Sequence, residues 1–428
     1  MSDVGDQHIY DAMGVAPVVN AIGGVTLLGA SSLSPRAMRA VQQANDTYVV
    51  MHELMDRAGE IIAETLGAEA ACLTSGTSSA LVLSTAACMC GHDLEKMARI
   101  PDTTGMKNEV LIQCPERWLF ERTVTQTGAA LRKVGDTMRC TPEQIEGAIG
   151  PATAAIVWVA SSRAMPGAEI VPLDEVVDIG KRHSVPVIVD AAGQSYSLSK
   201  FRRYASSADL VCFGSKYIGG PNSAGYVCGS KDLVKAVDLQ GFISFDELGQ
   251  QGLHGGIGRA FKIDRSEVVA AVVSLQEWFE MDHEARLKES ERQLTVVEDE
   301  LRDVSHVEVS WAGGHDSGMV SPVVTPDASA MGKSAREVAI ELAEGDPPVW
   351  VGWGHRFPER LSVVASWGTL MAGQERVLAK KLRAALTGPA MPSSRATCGH
   401  HPAMNVPETP PSNASEAVGA WTAVACWG

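Results

Sequence analysis

The stretch PLDEVVDIGKRHSVPVIVDAAGQ, residues 172–194, sets a helix and a strand back to back. Pro172 suits the opening of a helix, Asp174 and Glu175 fill its first turn, and Lys181, Arg182 and His183 fill its last, which is the charge order a helix dipole favours. The run VPVIVD that follows is apolar until it ends on a carboxylate, Asp190. A helix feeding an apolar strand is the building unit of a parallel sheet covered by helices.

The same alternation extends in both directions. AACLTSG (70–76), EVLIQ (109–113), AAIVWVASS (154–162) and ADLVCFGSK (208–216) are further strand candidates, separated by helical stretches, and together they predict an α/β large domain with a mainly parallel sheet. From Asp264 and Glu267, a start resembling a capping box, helical periodicity runs to about residue 303 and predicts one long connector helix. HVEVSWA (306–312), MVSPVVTP (319–326) and RLSVVASW (360–367) then read as strands, and SAREVAIELAEG (334–345) and QERVLAKKLRAALTG (374–388) as helices, a smaller α+β domain. The expected organisation is an N-terminal arm (1–45), a large domain (46–260), the connector with the small domain (261–388) and a tail rich in Pro, Ser and Ala (389–428).

At 428 residues the chain exceeds what a single core supports. Its net charge of −15, with no cluster of five or six Lys/Arg, argues against a nucleic-acid or anionic-membrane surface. No run of eighteen apolar residues offers a membrane span, and MSDVGDQHIYDAMG is acidic where a secretory signal is basic and then apolar, so a cytoplasmic protein is expected. The nine cysteines (Cys72, Cys88, Cys90, Cys114, Cys140, Cys212, Cys228, Cys398, Cys426) form no CxxC pair and lack histidines at zinc-ligand spacing. They read as reduced packing thiols. CGHHP (398–402) lacks the four-ligand spacing of structural zinc, and no metal is expected.

In an open α/β sheet, ligands bind where strands run out into loops. Three such places carry chemistry. In LTSGTSSAL (73–81) the strand breaks at Ser75 and Gly76, and a helix begins near Thr77, so unpaired N–H groups face any anion there, although the same residues also make ordinary N-caps. In VIVDAAGQ (187–194), Asp190 is costly at a strand end unless it meets a cleft, a cap or a cation. In FGSKYIGG (213–220), Lys216 is either a solvated strand-end charge or an amine available to a carbonyl. An anion cradle, a carboxylate for a protonated ring nitrogen and an amine able to form a Schiff base are together the three handles of pyridoxal 5′-phosphate (PLP). Their order along the chain is that of the fold-type-I group of PLP enzymes.

The segments VVNAIGGVTLLGASSLSPRAMRAV, ELMDRAGEIIAETLGAEAACLTSG, IPDTTGMKNEVLIQ, PLDEVVDIGKRHSVPVIVDAAGQ, ADLVCFGSKYIGGPNSAGYVCG and GRAFKIDRSEVVAAV resemble the selenocysteine-synthase-like family of PLP enzymes, in particular its D-glucosaminate-6-phosphate ammonia-lyase-like branch. The resemblance implies an aspartate-aminotransferase-like fold with Lys216 as the Schiff-base lysine and Asp190 beside the pyridine nitrogen. It also implies Ser75, Gly76 and Thr77 on the phosphate with help from Ser215, Ala192 against the ring, and Gln194 near the ring's phenolic oxygen. The chain departs from the family pattern at CPERW, where Glu116 replaces a histidine while Arg117 is retained, at KIDRSE, and at FGSK.

With such a cofactor, a carbanion at the substrate's Cα leads to α,β-elimination, giving ammonia and a 2-oxo acid, or to reprotonation as in a racemase or epimerase. Elimination from an amino acid or amino sugar acid follows from the lyase-like resemblance, and racemisation is the alternative. Selenium transfer to seryl-tRNA ranks lower because it needs a basic RNA-binding surface, and so does a non-catalytic scaffold. Arginine's planar fork suits a substrate carboxylate or phosphate, which makes Arg117, Arg259, Arg356 and Arg360 candidates, with Arg36 and Arg57 behind them and His355 as a possible acid. The family implies at least a homodimer.

Overall fold

Short apolar runs at the centre of the chain assemble into one sheet. The computed structural model describes residues 8–160, 164–314, 317–354, 357–365 and 368–389. The tail motif CGHHP, His355 and Arg356 lie outside the described residues. Two compact units arise, one spanning residues 32–280 and the other built from the chain before and after it.

The first unit holds a seven-stranded sheet of β1 (Ala70–Thr74), β2 (Glu109–Gln113), β3 (Ala130–Val134), β4 (Thr153–Val159), β5 (Val187–Asp190), β6 (Leu210–Gly214) and β7 (Gly225–Gly229). Their order is β1-β7-β6-β5-β4-β2-β3. Neighbouring strands are parallel except at β7, which runs antiparallel to both β1 and β6. The fold is the α/β, fold-type-I architecture expected from the sequence. The strands expected at AACLTSG, EVLIQ, AAIVWVASS, VPVIVDAAG and ADLVCFGSK all form, with slightly shorter ends.

The sequence reading omits two strands. In ALRKV (β3) most side chains are at least partly exposed, as suits the sheet's edge, so there is no apolar run to detect. In GYVCG (β7) glycine stands at both ends, which ordinarily marks a loop. Here the glycines are required by close approach. A Cβ at Gly229 would lie 1.9 Å from the Asp209 carbonyl, and one at Gly225 would lie 2.6 Å from that of Phe213.

Helix α1 (Thr77–Cys90) is buried along nearly its whole length against this sheet, which explains a sequence that is apolar on every side. Its internal hydroxyls have partners: Thr85 Oγ1 donates to the Leu81 carbonyl at 2.8 Å, and Ser84 Oγ lies 3.6 Å from Cys212 Sγ of the sheet.

The expected single connector helix is two helices, α2 (Arg265–Glu280) and α3 (His283–Leu301). The break follows from Asp282, whose side chain accepts from the Ala285 N–H at 2.9 Å and caps a new helix. Helix α2 packs within the first unit against the helices Pro35–Asn45 and Met51–Leu66, where Ser34 Oγ donates to Glu277 at 2.5 Å and Arg36 pairs with Glu280.

The second unit contains α3, an antiparallel pair of strands, Val307–Gly314 and Met319–Pro326, and a parallel pair, Val19–Ala21 with Val349–Val351. Helices Ala335–Glu344 and Gln374–Thr387 cover them, with Leu294, Val297, Val338, Leu342, Leu378 and Leu382 in the core. RLSVVASW yields only the strand Leu361–Ser362. Among the described residues no helix is long and apolar enough to cross a membrane.

Candidate active site

The C-terminal ends of β1, β2, β4, β5 and β6 face one edge of the sheet, and the predicted cofactor residues meet there. Asp190 closes β5 and pairs in register with Cys212 of β6, four residues before Lys216. The loops beyond are tied together: the Ala191 N–H donates to the Cys212 carbonyl, and the Gly214 N–H to the Ala192 carbonyl, both at 3.0 Å. Lys216 lies in a 3₁₀ turn, Ser215–Ile218, with its Nζ 5.2 Å from the centroid of the Tyr217 ring. That ring also packs over Gly193, in the loop after Asp190.

On the other side, α1 begins at Thr77 after Gly76, which has φ +89° and supplies no side-chain cap. The nearby hydroxyls of Thr74 and Ser79 both donate to the Gly76 carbonyl, at 3.2 and 2.7 Å, so they do not fill the helix N-terminus. Two glycines let neighbouring strand ends approach this helix start closely. A Cβ at Gly214 would stand 3.0 Å from Thr77 Oγ1, and one at Gly225 would stand 2.7 Å from the Gly76 carbonyl carbon and 2.9 Å from Thr77 N. Ser75, Gly76 and Thr77 therefore sit against the strand end that carries Ser215 and Lys216. Ser215 itself is buried and accepts from the Tyr226 hydroxyl at 3.0 Å. Gln194 is buried, with its backbone N–H on the Ala191 carbonyl at 2.9 Å.

Asp190 is 7% exposed, and both its oxygens are engaged: Oδ1 accepts from the Ala192 N–H at 3.3 Å and Oδ2 from the Trp118 indole N–H at 2.8 Å. Burial pushes its carboxyl above the ordinary range, and these two hydrogen bonds oppose that shift. Glu116 is wholly buried at the end of β2, where its Oε1 accepts from the Val159 N–H at 3.1 Å and from Gln113 Nε2 at 3.4 Å. Its carboxyl is held well above the usual range, first by burial and then by the neighbouring Asp190 charge.

The candidate arginines among the described residues each have their own local partners. Arg117 is exposed, with Nη1 donating to Met165 Sδ at 3.0 Å. Arg259 pairs with Asp246 at 3.0 Å on a turn whose Gly258 approaches Leu83, midway along α1. Arg360 belongs to the second unit, where it pairs with Glu359 and lies 4.9 Å over the Phe357 ring. Arg36 and Arg57 pair with Glu280 and Glu60.

Sequence reasoning passed over Trp118. The signal available was its place just beyond the retained Arg117, in a segment that leaves a strand end.

Residues 18–309 match the family described as SelA: L-seryl-tRNA selenium transferase. The chain is 32% identical over 351 residues to 5′-C-glycyluridine monooxygenase-decarboxylase of a Streptomyces species, covering 80% of this chain and 83% of that protein. It is 28% identical over 353 residues to D-glucosaminate-6-phosphate ammonia lyase of Salmonella typhimurium (strain 14028s / SGSC 2262), covering 80% and 89%. A solved structure of D-glucosaminate-6-phosphate ammonia-lyase superposes with a TM-score of 0.75 at 25% identity, covering 89% of this chain and 98% of that one. With a family match that takes in well over half of its length, the chain belongs to the SelA, or L-seryl-tRNA selenium transferase, family.

Proposed function

We propose that this chain is a PLP-dependent lyase that carries out α,β-elimination on an amino acid with a sugar-derived side chain, releasing ammonia and a 2-oxo acid. One observation carries this reading: the Gly214-to-Ala192 hydrogen bond of 3.0 Å joins the turn bearing Lys216 to the loop after Asp190, on the same strand edge as the uncapped start of α1.

The residues fit the cofactor. Its phosphate suits the helix start at Ser75, Gly76 and Thr77, whose position a Cβ at Gly214 or Gly225 would disturb. Its protonated ring nitrogen suits the buried Asp190 carboxylate, with Ala192 and Gln194 on the following loop, and its aldehyde suits Lys216. When bound, PLP supplies an electron sink for a carbanion at the substrate's Cα. The protein's own contributions are distinct. Lys216 Nζ takes the Cα proton, Asp190 holds a fixed negative charge, and the buried wall of β5 and β6 limits water.

The substrate class follows from two relatives. One is named for a 2-amino sugar acid phosphate and the other for a glycyl group joined through carbon to a nucleoside. Both names describe an α-amino acid attached to an oxygenated sugar skeleton, which provides a leaving group at Cβ. A net charge of −15 favours such a small substrate over tRNA. The retained Arg117, exposed near the strand edge, is the arginine we assign to a substrate anion. A cytoplasmic location and at least a dimer complete the proposal; the first is supported by seven free cysteines among the described residues.

The monooxygenase-decarboxylase relative supports a second reading, oxygen-consuming loss of the substrate carboxylate. One experiment separates these. Purified protein and its Lys216→Ala variant are given PLP; one portion of each is reduced with borohydride, and another is tested unreduced with D- and L-amino acids and amino sugar acids. Elimination predicts a visible band whose reduction fixes the cofactor to the protein in the wild type alone, and ammonia and 2-oxo acid in equal amounts without oxygen uptake. Oxygen uptake with CO₂ release would instead select the second reading, deuterium at Cα without oxo acid would indicate a racemase, and no band in wild type would end the cofactor assignment.

A further inference from the structure

We propose that Trp118 is a positioning residue for the cofactor's ring nitrogen, acting through Asp190 by fixing the orientation of its carboxylate and stabilising its negative charge. The inference rests on the cofactor reading given above.

The geometry begins in the segment after β2. Arg117 adopts a left-handed conformation (φ 48°, ψ 52°), uncommon for any residue that carries a Cβ. The turn has a definite result: Glu116 and Trp118 point into the protein while Arg117 between them is exposed. Trp118 is 6% exposed, and its only polar atom, the indole N–H, is aimed at Asp190 Oδ2 at 2.8 Å.

The chemistry of this donor matters. An indole N–H donates without carrying charge and does not titrate, so it stabilises the carboxylate anion yet neither neutralises it nor accepts its proton. A histidine or arginine in its place would add a second cation beside the one the carboxylate is to receive. The carboxylate offers about four lone-pair sites, of which the Ala192 N–H and the indole use two. Capacity remains for a ring N–H. Trp118 also distinguishes the two acids buried here. It donates to Asp190, whereas Glu116 accepts from Val159 and Gln113, so the anion is favoured at the strand end that adjoins the lysine-bearing turn. The Cys212 thiol also feels the Asp190 charge, and its own proton is held by burial.

The test uses the full-length protein stripped of cofactor, with Trp118→Phe, Asp190→Ala and the double variant, and PLP affinity measured by absorbance titration. Trp118→Phe is expected to weaken PLP binding about tenfold when Asp190 is present, equivalent to about 1.4 kcal/mol, and less than twofold when Asp190 is alanine. In ¹H–¹⁵N spectra of the cofactor-free protein, the indole resonance lost in Trp118→Phe is expected to move in Asp190→Ala. Equal losses in both backgrounds, with wild-type PLP uptake intact, would overturn the inference and leave Trp118 a packing residue. An indole resonance unmoved by Asp190→Ala would do the same. Failure of the wild type to take up PLP would instead remove the cofactor reading on which the inference stands.

Discussion

The Val159 N–H donates to Glu116 Oε1 at 3.1 Å, so a carboxyl group is buried at the end of β2 one strand away from Asp190, with which Val159 pairs in register. Burial and the Asp190 charge hold the Glu116 carboxyl well above its ordinary range. The native state then keeps a proton that the unfolded chain gives up from about pH 4.3 upward. Stability contributed at low pH is lost as pH rises toward the raised value. Glu116→Gln, which keeps the shape and the acceptor for Val159, is expected to melt higher than wild type at pH 8 by about 2–4 °C, roughly the effect of 1 kcal/mol in a domain of this size. The gap should close toward pH 4.5. Thermal melts of the cofactor-free proteins across that range check the prediction, and an equal gap at both ends would refute it.

The proposed cofactor residues were legible as a group because each part has a local signature. Ser75-Gly76-Thr77 interrupts an apolar run, Asp190 ends one, and Lys216 follows one before a cluster of glycines. The substrate side was not legible, because an arginine's role depends on its neighbours in space. Arg259 and Arg360 stood as candidates beside Arg117, yet both pair with acids, Asp246 and Glu359. The edge strand β3 and glycine-bounded β7 were hidden for a related reason: tertiary packing, and not side-chain pattern, decides their conformation. Asp282, by contrast, was a readable helix start inside a periodic stretch, and it was overridden by the periodicity on either side.

Gly225 tests the cradle. Its Cβ would lie within 3 Å of three backbone atoms, at Phe213, Gly76 and Thr77, none of which is the end of a flexible side chain. Gly225→Ala is expected to cost about 1–3 kcal/mol and to weaken PLP binding at least tenfold by shifting Gly76 and Thr77. Gly249→Ala is the control. Gly249 lies in the helix Phe242–Gln250 with nothing within 4 Å of its Cβ position, so alanine there should stabilise by about 0.4–1 kcal/mol. Chemical denaturation and PLP titration read both variants. Normal PLP affinity in Gly225→Ala would show that the cradle is not the phosphate site.

Lys333 makes a different kind of prediction, in the second unit. It is 2% exposed, with Nζ 2.7 Å from Glu341 Oε2 and 2.6 Å from the Ala385 carbonyl, joining two helices. Removing one partner of a buried pair leaves the other desolvated, at a cost of about 3–5 kcal/mol. Because the Glu341 side chain remains 22% exposed, Lys333→Met should fall at or below the lower end of that range. Adding Glu341→Leu should recover more than half of the loss. Urea midpoints for the single and double variants decide it, and a double variant no more stable than Lys333→Met would show that Glu341 is not the penalised group.

Tyr226 links the sheet to the lysine-bearing turn. Its hydroxyl lies 3.0 Å from Ser215 Oγ and 3.2 Å from the Ala271 carbonyl, so a single group on β7 contacts both the residue before Lys216 and helix α2. The ring is fully buried, and burial keeps the phenol protonated far beyond its ordinary range, so this contact does not titrate under working conditions. Tyr226→Phe removes only the hydroxyl. It removes the hydroxyl donated to the buried Ser215, at about 1–3 kcal/mol for a buried group that loses a hydrogen bond, while the Ala271 carbonyl keeps its place in the helix. The loss should appear as a lower denaturation midpoint with an unchanged denaturant slope. It should also speed PLP release, because the turn that carries Lys216 has lost a fixed point, whereas Ser274→Ala, which removes a hydroxyl donating to the Gly219 carbonyl at 3.2 Å just beyond the turn, should lower stability with a smaller effect on release. Equal effects of the two variants on PLP release would mean that the turn is held as a whole by α2 and not through Ser215.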